Sequence, residues 1–278
     1  MLKDTGSLGA DFLCTDRTGN VCLVDLQLAT VIFTDKIADV FGIIGSADGP
    51  TSIYVANRLA PALLPAITVA AYSYMALVPI VQPMAIKLVT TKKERCIHMD
   101  YNPKNVSKTM RIVFPIAVTI IVGLVAPQSV ALVGFLMFGN LIKEIGANTS
   151  RLFETASNGI MNAATIFLGL SVGATMTVDA FLNFQTLGIV AGGFLAFGFS
   201  IFGGILLVKV MNLFSKKKIN PLVGATGLSA VPMASRVAND IALKYDPKNH
   251  VLNYCMSSNV AGVIGSAVAA GILLSFLG

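Results

Sequence analysis

Asp48, in the stretch "GIIGSADGPTS", is the only formal charge between Asp39 and Arg58. A carboxylate among apolar residues is either protonated or paired with a cation, because burial disfavours its charged form. The surrounding inventory is rich in oxygen: Ser46, Thr51 and Ser52 beside it, and Asn220, Ser229 and Asn259 much later in the chain. Carbonyls freed by the neighbouring glycines and prolines add to that set. Oxygen donors of this kind suit hard cations without redox chemistry, so Na+ or a proton is the expected occupant of Asp48. Arg236 is the only formal charge between Lys218 and Asp240. Its planar guanidinium suits a substrate carboxylate held by two parallel hydrogen bonds.

Each of these residues has a plainer alternative. Asp-Gly-Pro is a common surface turn, and Arg236 can mark the end of a helix at the membrane surface. Tyr72 and Tyr74 can be interface-belt or packing residues, and Asn259 can be a helix–helix hydrogen-bonding residue. Other chemistries find less support. Cys14, Cys22, Cys96 and Cys255 show no metal-ligand spacing and read as reduced structural thiols. Two histidines, His98 and His250, fall in polar loops, which argues against a zinc site or a Ser/His hydrolase.

These side chains need an apolar scaffold, and the composition supplies one. Of 278 residues, 55% are hydrophobic and only 12% are charged, with a mean hydropathy of +0.76, against about 25% charged residues in soluble domains. The expected fold is therefore an all-α polytopic membrane protein. Apolar runs able to cross a bilayer, at about 20 residues per span, occur at 59–89, 112–142, 160–175, 187–207 and 251–277. The second is long enough for two short helices divided by "APQS".

The net charge of +6 does not point to nucleic acid, because the basic residues cluster in loops. Lys87, Lys92, Lys93, Arg95, Lys104, Lys108 and Arg111 lie in the loop 87–111 with only Glu94 and Asp100 opposing them, and Lys209 and Lys216 to Lys218 follow a later run. The positive-inside rule places both on the cytoplasmic side. Four crossings between them satisfy parity and leave "PQS" and 177–186 outside.

Two places combine Gly, Pro, Ser and a charge at membrane depth: Phe41 to Pro61 and Ile219 to Asp240. Non-helical backbone cannot face lipid, so both must be buried in protein or line a watery cavity. Their patterns are loosely alike, Gly45-Ser46-Ala47 then Pro50 and Ser52 against Gly227, Ser229-Ala230, Pro232 and Ser235. Paired broken segments point to an inverted-repeat transporter with its site near the midplane. Residues 1–34 carry scattered charges and no clean apolar core, and read as neither a signal peptide nor a good span.

The motifs "GIIGSADGPTSIYVANRLAP", "AAYSYMALVPIVQP", "TTKKER", "IFLGLSVGATM", "NLFSKKKINPLVGATGLSAVPMASRV" and "NVAGVIGSAVAAG", in this order, resemble the beta subunit of the sodium-pumping biotin-dependent decarboxylases. The resemblance runs from about Asp35 to the C-terminus, making 35–278 the membrane domain and 251–277 its last span. It implies a bacterial inner-membrane protein that removes CO2 from carboxybiotin and couples this to Na+ export with proton uptake. The implied partners are a biotin-carrying carboxyltransferase alpha subunit and a small gamma or delta membrane subunit, in a homo-oligomeric complex. Matched by motif, Asp48, Asn220, Ser229 and Asn259 handle Na+ and the proton. Tyr74, Ser229 and Arg236 serve the decarboxylation, with Gly224 and Arg236 at the carboxybiotin. Members of that group begin with further membrane helices, so a truncated or mis-started chain is expected here. Two alternatives remain open: a Na+-coupled transporter of a small carboxylate without chemistry, and an inactive fragment of the pump.

Overall fold

The computed structural model describes residue 45 and residues 47–99, 107–146, 149–175, 184–215 and 217–277. The described residues form helices joined by turns and irregular segments and contain no strand. In order they form α1 (Gly49–Leu59), α2 (Leu64–Val89), α3 (Lys92–Arg95), α4 (Lys108–Val125), α5 (Val130–Ile145), α6 (Ser150–Glu154), α7 (Met161–Thr175), α8 (Phe184–Phe214), α9 (Pro221–Gly224), α10 (Met233–Tyr245) and α11 (Leu252–Leu277). Short 3-10 turns, Pro61–Leu63 and Pro127–Ser129, precede α2 and α5, and a π-helical turn, Thr155–Ile160, joins α6 to α7.

Four stretches are long and apolar enough to cross a membrane: Lys108–Val125, Pro127–Ile145, Val190–Phe214 and Leu252–Phe276. A fifth is the pair Pro61–Ser73 and Ala76–Val89, bent by 59°. The protein is thus a multi-pass membrane protein. Pro79 lies inside α2. It lacks the N–H that would bond the carbonyl four residues earlier, at Met75, and its ring crowds that carbonyl, so the bend falls there. The "APQS" break appears as expected, with Ala126 and the Pro127–Ser129 turn between α4 and α5. The expected outer loop 177–186 lies largely outside the described residues, as do residues 1–44.

The second broken segment enters and leaves on one side. Asn220, at the start of α9, donates to the carbonyls of Arg95 and Ile97. Past α10, Asn249 donates to the same Ile97 carbonyl at 2.8 Å, and the Tyr245 ring lies 4.9 Å from the Arg95 guanidinium carbon. Both ends are therefore tied to the loop after α3, on the basic-loop side, and the segment is re-entrant. Its irregular stretch, Ala225 to Pro232, contains a cis Val231–Pro232 bond. Glu94 secures the same side, accepting from the Thr91 N–H at 2.7 Å and pairing with Lys209 at 3.1 Å.

α11 is the central element. Its outer half packs with Val55, Ala56, Ile67 and Ala70 of α1 and α2, and Ala267 joins the α4–α5 cluster of Phe114, Val122, Val133 and Met137. The largest cluster joins α2, α8, α9 and α10 through Val78, Ile86, Phe197, Ile201, Leu222 and Ala238. Association in lipid depends on close approach rather than water exclusion. A side chain on Gly224 would lie 2.2 Å from the Gly204 carbonyl oxygen, so α9 and α8 touch backbone to backbone.

Candidate ion-binding site

Asp48 is 6% exposed and precedes α1 as its N-cap. Its Oδ1 accepts the Thr51 N–H at 3.1 Å. Pro50 stands in the first helical turn, where a missing N–H leaves no intrahelical bond unmade. The Asp-Gly-Pro sequence is thus a buried helix start and not a surface turn. Ala47, with φ of 56°, takes the left-handed turn that brings the chain into the cap. The Tyr72 ring of α2 covers the cap, since a Cβ on Gly49 would meet two of its carbons at 3.4 Å.

The other carboxylate oxygen reaches across the fold. Ser266 of α11 donates its hydroxyl to Asp48 Oδ2, and Ser266 Oγ stands 3.0 Å from Ser229 Oγ of the second broken segment. The two segments therefore meet through one serine, and Asp48, Ser266 and Ser229 form a buried line of oxygens.

That serine belongs to a stripe. Asn259, Gly262 and Ser266 fall at i, i+3 and i+7 of α11, on one helical face. All three meet the second break. Asn259 Nδ2 donates to the Thr226 carbonyl at 3.1 Å and to the Leu228 carbonyl, and its Oδ1 accepts from Ser235 Oγ at 3.3 Å. A Cβ on Gly262 would lie 2.5 Å from the Gly227 carbonyl oxygen. One side of α11 is shaped to hold an irregular backbone and to satisfy its carbonyls.

Of the residues expected from sequence, Asp48 and Ser229 come together through Ser266, and Asn259 lies two turns away on the same face. Asn220 is engaged elsewhere. Fully buried, it caps α9 by accepting the Leu222 N–H at 3.0 Å, and both donated bonds go to the Arg95–Ile97 backbone. Gly224 has a packing role against Gly204 and Val208. Arg236 is exposed near the start of α10. Tyr74 is a residue of α2 at its bend, and its side chain, like Ser46, lies outside the described residues.

Two contributors escaped the sequence reading, Ser266 and Gln82, and a third, Ser235, was noted only as part of the second break's pattern. Ser266 and Ser235 are small polar residues among Ala and Gly, which is ordinary helix-packing composition. Gln82 did carry a signal, as an amide between Val81 and Pro83 in an apolar run. It is fully buried, and its Nε2 donates to the Ala225 and Ala234 carbonyls at 3.2 and 3.1 Å. Among the described residues no three His, Cys, Asp or Glu side chains converge, so the donors here are hydroxyls, amides and carbonyls around one carboxylate. That set fits a hard monovalent cation.

The sequence model of the family described as the Na+-transporting oxaloacetate decarboxylase beta subunit matches residues 17–277. The chain belongs to that family. It is 51% identical over 247 residues to the oxaloacetate decarboxylase beta chain 2 of Salmonella typhi, covering 89% of this chain and 57% of that one. It is 52% identical over 251 residues to the methylmalonyl-CoA decarboxylase subunit beta of Propionigenium modestum, covering 90% and 63%. The corresponding subunit of Veillonella parvula is 50% identical over 245 residues, covering 88% and 65%. The chain thus spans 57% to 65% of the length of these relatives. The family match begins at residue 17, ahead of the Asp35 from which the motifs were recognisable.

Proposed function

We propose that this protein is the membrane subunit that releases CO2 from carboxybiotin, carried on a partner subunit, and couples the release to Na+ export with proton uptake. The observation that carries the reading is the buried Asp48 carboxylate at a helix N-terminus, joined through Ser266 to Ser229, in a chain of this family. Na+ is the cargo. It binds the Asp48 carboxylate and the hydroxyl oxygens of Ser266 and Ser229, with Asn259 and Asn220 fixing the backbone around the path. In the ion-free state Asp48 holds a proton. Arrival of Na+ displaces it along the hydroxyl line, since the carboxylate cannot keep both at low dielectric.

The displaced proton goes to carboxybiotin through Ser229 or Tyr74. There the carboxylate carbon–nitrogen bond breaks, its electron pair stays on the ureido nitrogen, that nitrogen takes the proton, and CO2 leaves. Arg236 holds the carboxylate before it is lost. The partners are a biotin-carrying carboxyltransferase alpha subunit and a small gamma or delta subunit, in a homo-oligomeric complex of the bacterial plasma membrane. The two broken segments are read as the paired elements of an inverted repeat.

Reconstitution with the biotin-carrying subunit tests the proposal. Decarboxylation stimulated by Na+ and blocked by avidin is expected, and lost in Asp48→Asn. Na+-driven carboxylate exchange without any biotinylated partner would refute it in favour of a transporter without chemistry.

A further inference from the structure

Gln82 is the one fully buried amide whose side-chain oxygen has no hydrogen-bond partner among the described residues. Its orientation is fixed by chemistry. Both atoms facing its Nε2 are carbonyl oxygens, Ala225 O and Ala234 O, which only an NH2 group can satisfy. Turning the amide over would set oxygen against oxygen twice, so Oε1 must point away from both. A buried acceptor left bare is costly, and such an atom is rarely retained without a partner.

Its surroundings indicate the partner. Gln82 grips the second broken segment at Ala225 and Ala234, and Asn259 grips it one residue on, at Thr226 and Ser235. Two amides, from α2 and α11, thus hold the same two points of the re-entrant backbone from different helices. Their depths agree as well. Gln82 is seven residues from Val89, whose carbonyl accepts the Lys209 ammonium at 2.6 Å, and Asn259 is seven residues from Leu252, next to the tied end of the re-entrant segment. At 1.5 Å per residue, both sit about 10 Å in from the basic-loop side. Ser266, with Asp48 bonded to it, lies two helical turns further in.

We infer that Gln82 Oε1 is a ligand for a hard monovalent cation. It forms a station at the depth of Asn259, between the basic-loop side and the Asp48 site. This deepens the reading of the chain as a Na+ pump and rests on it. The Nε2 group keeps the arms of the break at their spacing while Oε1 faces the ion, so one side chain ties the α2 half of the fold to ion occupancy in the other.

The test uses the full chain in detergent and the reconstituted complex, with NaCl titrated against choline chloride at constant ionic strength. Two readouts are taken: the Na+ concentration giving half of the thermal stabilisation, and that giving half-maximal decarboxylation. Gln82→Met keeps the volume and removes the oxygen. It is expected to raise both concentrations about tenfold while the rate at saturating Na+ largely recovers. Gln82→Glu keeps an oxygen and adds charge, and is expected to lower the half-stabilising Na+ concentration several-fold. If Gln82→Met lowers thermal stability equally with and without Na+ and leaves both concentrations within twofold of the unaltered protein, Gln82 is only a clip and the inference fails. If Gln82→Met does not fold, an unchanged Na+ dependence in Gln82→Glu overturns it equally. Should Asp48→Asn also leave the Na+ dependence intact, the Na+-pump reading itself is what fails.

Discussion

Gly224 separates packing from substrate contact, and Gly224→Ala is a one-methyl experiment on that difference. The added Cβ would lie 2.2 Å from Gly204 O, 2.7 Å from Gly204 C and 2.8 Å from Val208 Cγ2. Two of these atoms are backbone and cannot rotate away. Restoring an ordinary contact of about 3.4 Å moves α8 back by about 1.2 Å, beside Ile205, Val208, Leu222 and Val223 of the largest buried cluster. Overpacking costs about 1–3 kcal/mol, and a clash with backbone at 2.2 Å belongs to the upper part of that range, about 2–3 kcal/mol. The better helix propensity of Ala, about 1 kcal/mol, leaves a net loss of about 1–2 kcal/mol. At roughly 2–4 °C per kcal/mol for a protein of this size, a fall in Tm of about 2–8 °C is expected. The chain has no Trp, but Cys255 is a free, buried thiol. With Cys14, Cys22 and the exposed Cys96 replaced by Ser, a thiol-reactive dye therefore reports unfolding through Cys255. Gly139→Ala is the control, because a Cβ there meets nothing within 4 Å, and its Tm should hold or rise slightly. A Gly224→Ala protein with unchanged Tm but lost turnover would refute the packing argument and return Gly224 to the substrate.

Three further outcomes follow from the contacts. Ser266→Ala removes the hydroxyl between Asp48 and Ser229, and should raise the half-saturating Na+ concentration about tenfold, a loss of about 1.4 kcal/mol, in a decarboxylation titration. Asn220→Ala leaves the Arg95 carbonyl and the Leu222 N–H without their partner, while the Ile97 carbonyl keeps the Asn249 amide. At about 1–3 kcal/mol for a buried unsatisfied group, it should lower Tm strongly and open the loop after α3 to proteolysis. Partial burial pushes the Glu94 pKa up, but the Thr91 N–H, the Lys209 ammonium and the Thr91 hydroxyl outweigh it and hold the group below the ordinary range. Its contribution to stability is therefore full above the unfolded pKa and lost as pH falls below about 4. Lys209→Met should flatten that acid limb in a Tm-against-pH series.

The spans were legible because lipid demands about 20 apolar residues in a row, and the break between α4 and α5 was legible from "APQS". The candidate site was legible where a residue contradicted its surroundings, as the Asp48 carboxylate did. It was not legible where residues suited them: Ser266 and Ser235 among small residues give no local signal, and their roles exist only once α11 lies against the second break. Asn220 shows the converse. Its type suits a cation, but the fold brings the Arg95–Ile97 backbone against its amide from 123 and 125 residues away, a pairing that no spacing rule reports. Gln82 stood out as a polar residue beside prolines, yet its two carbonyl partners lie 143 and 152 residues on. The re-entrant course of residues 220–249 likewise emerged from long-range bonds, since periodicity cannot distinguish a segment that crosses from one that turns back.

The most direct test of the account is 22Na+ uptake into inside-out proteoliposomes carrying the reconstituted complex, comparing the unaltered protein with Asp48→Asn. Asn caps a helix about as well as Asp and can still accept the Thr51 N–H, so folding should be preserved and checked by Tm. The account predicts Na+ uptake driven by decarboxylation in the unaltered protein, and none above background in the variant. Equal 22Na+ uptake by a folded Asp48→Asn complex would contradict it.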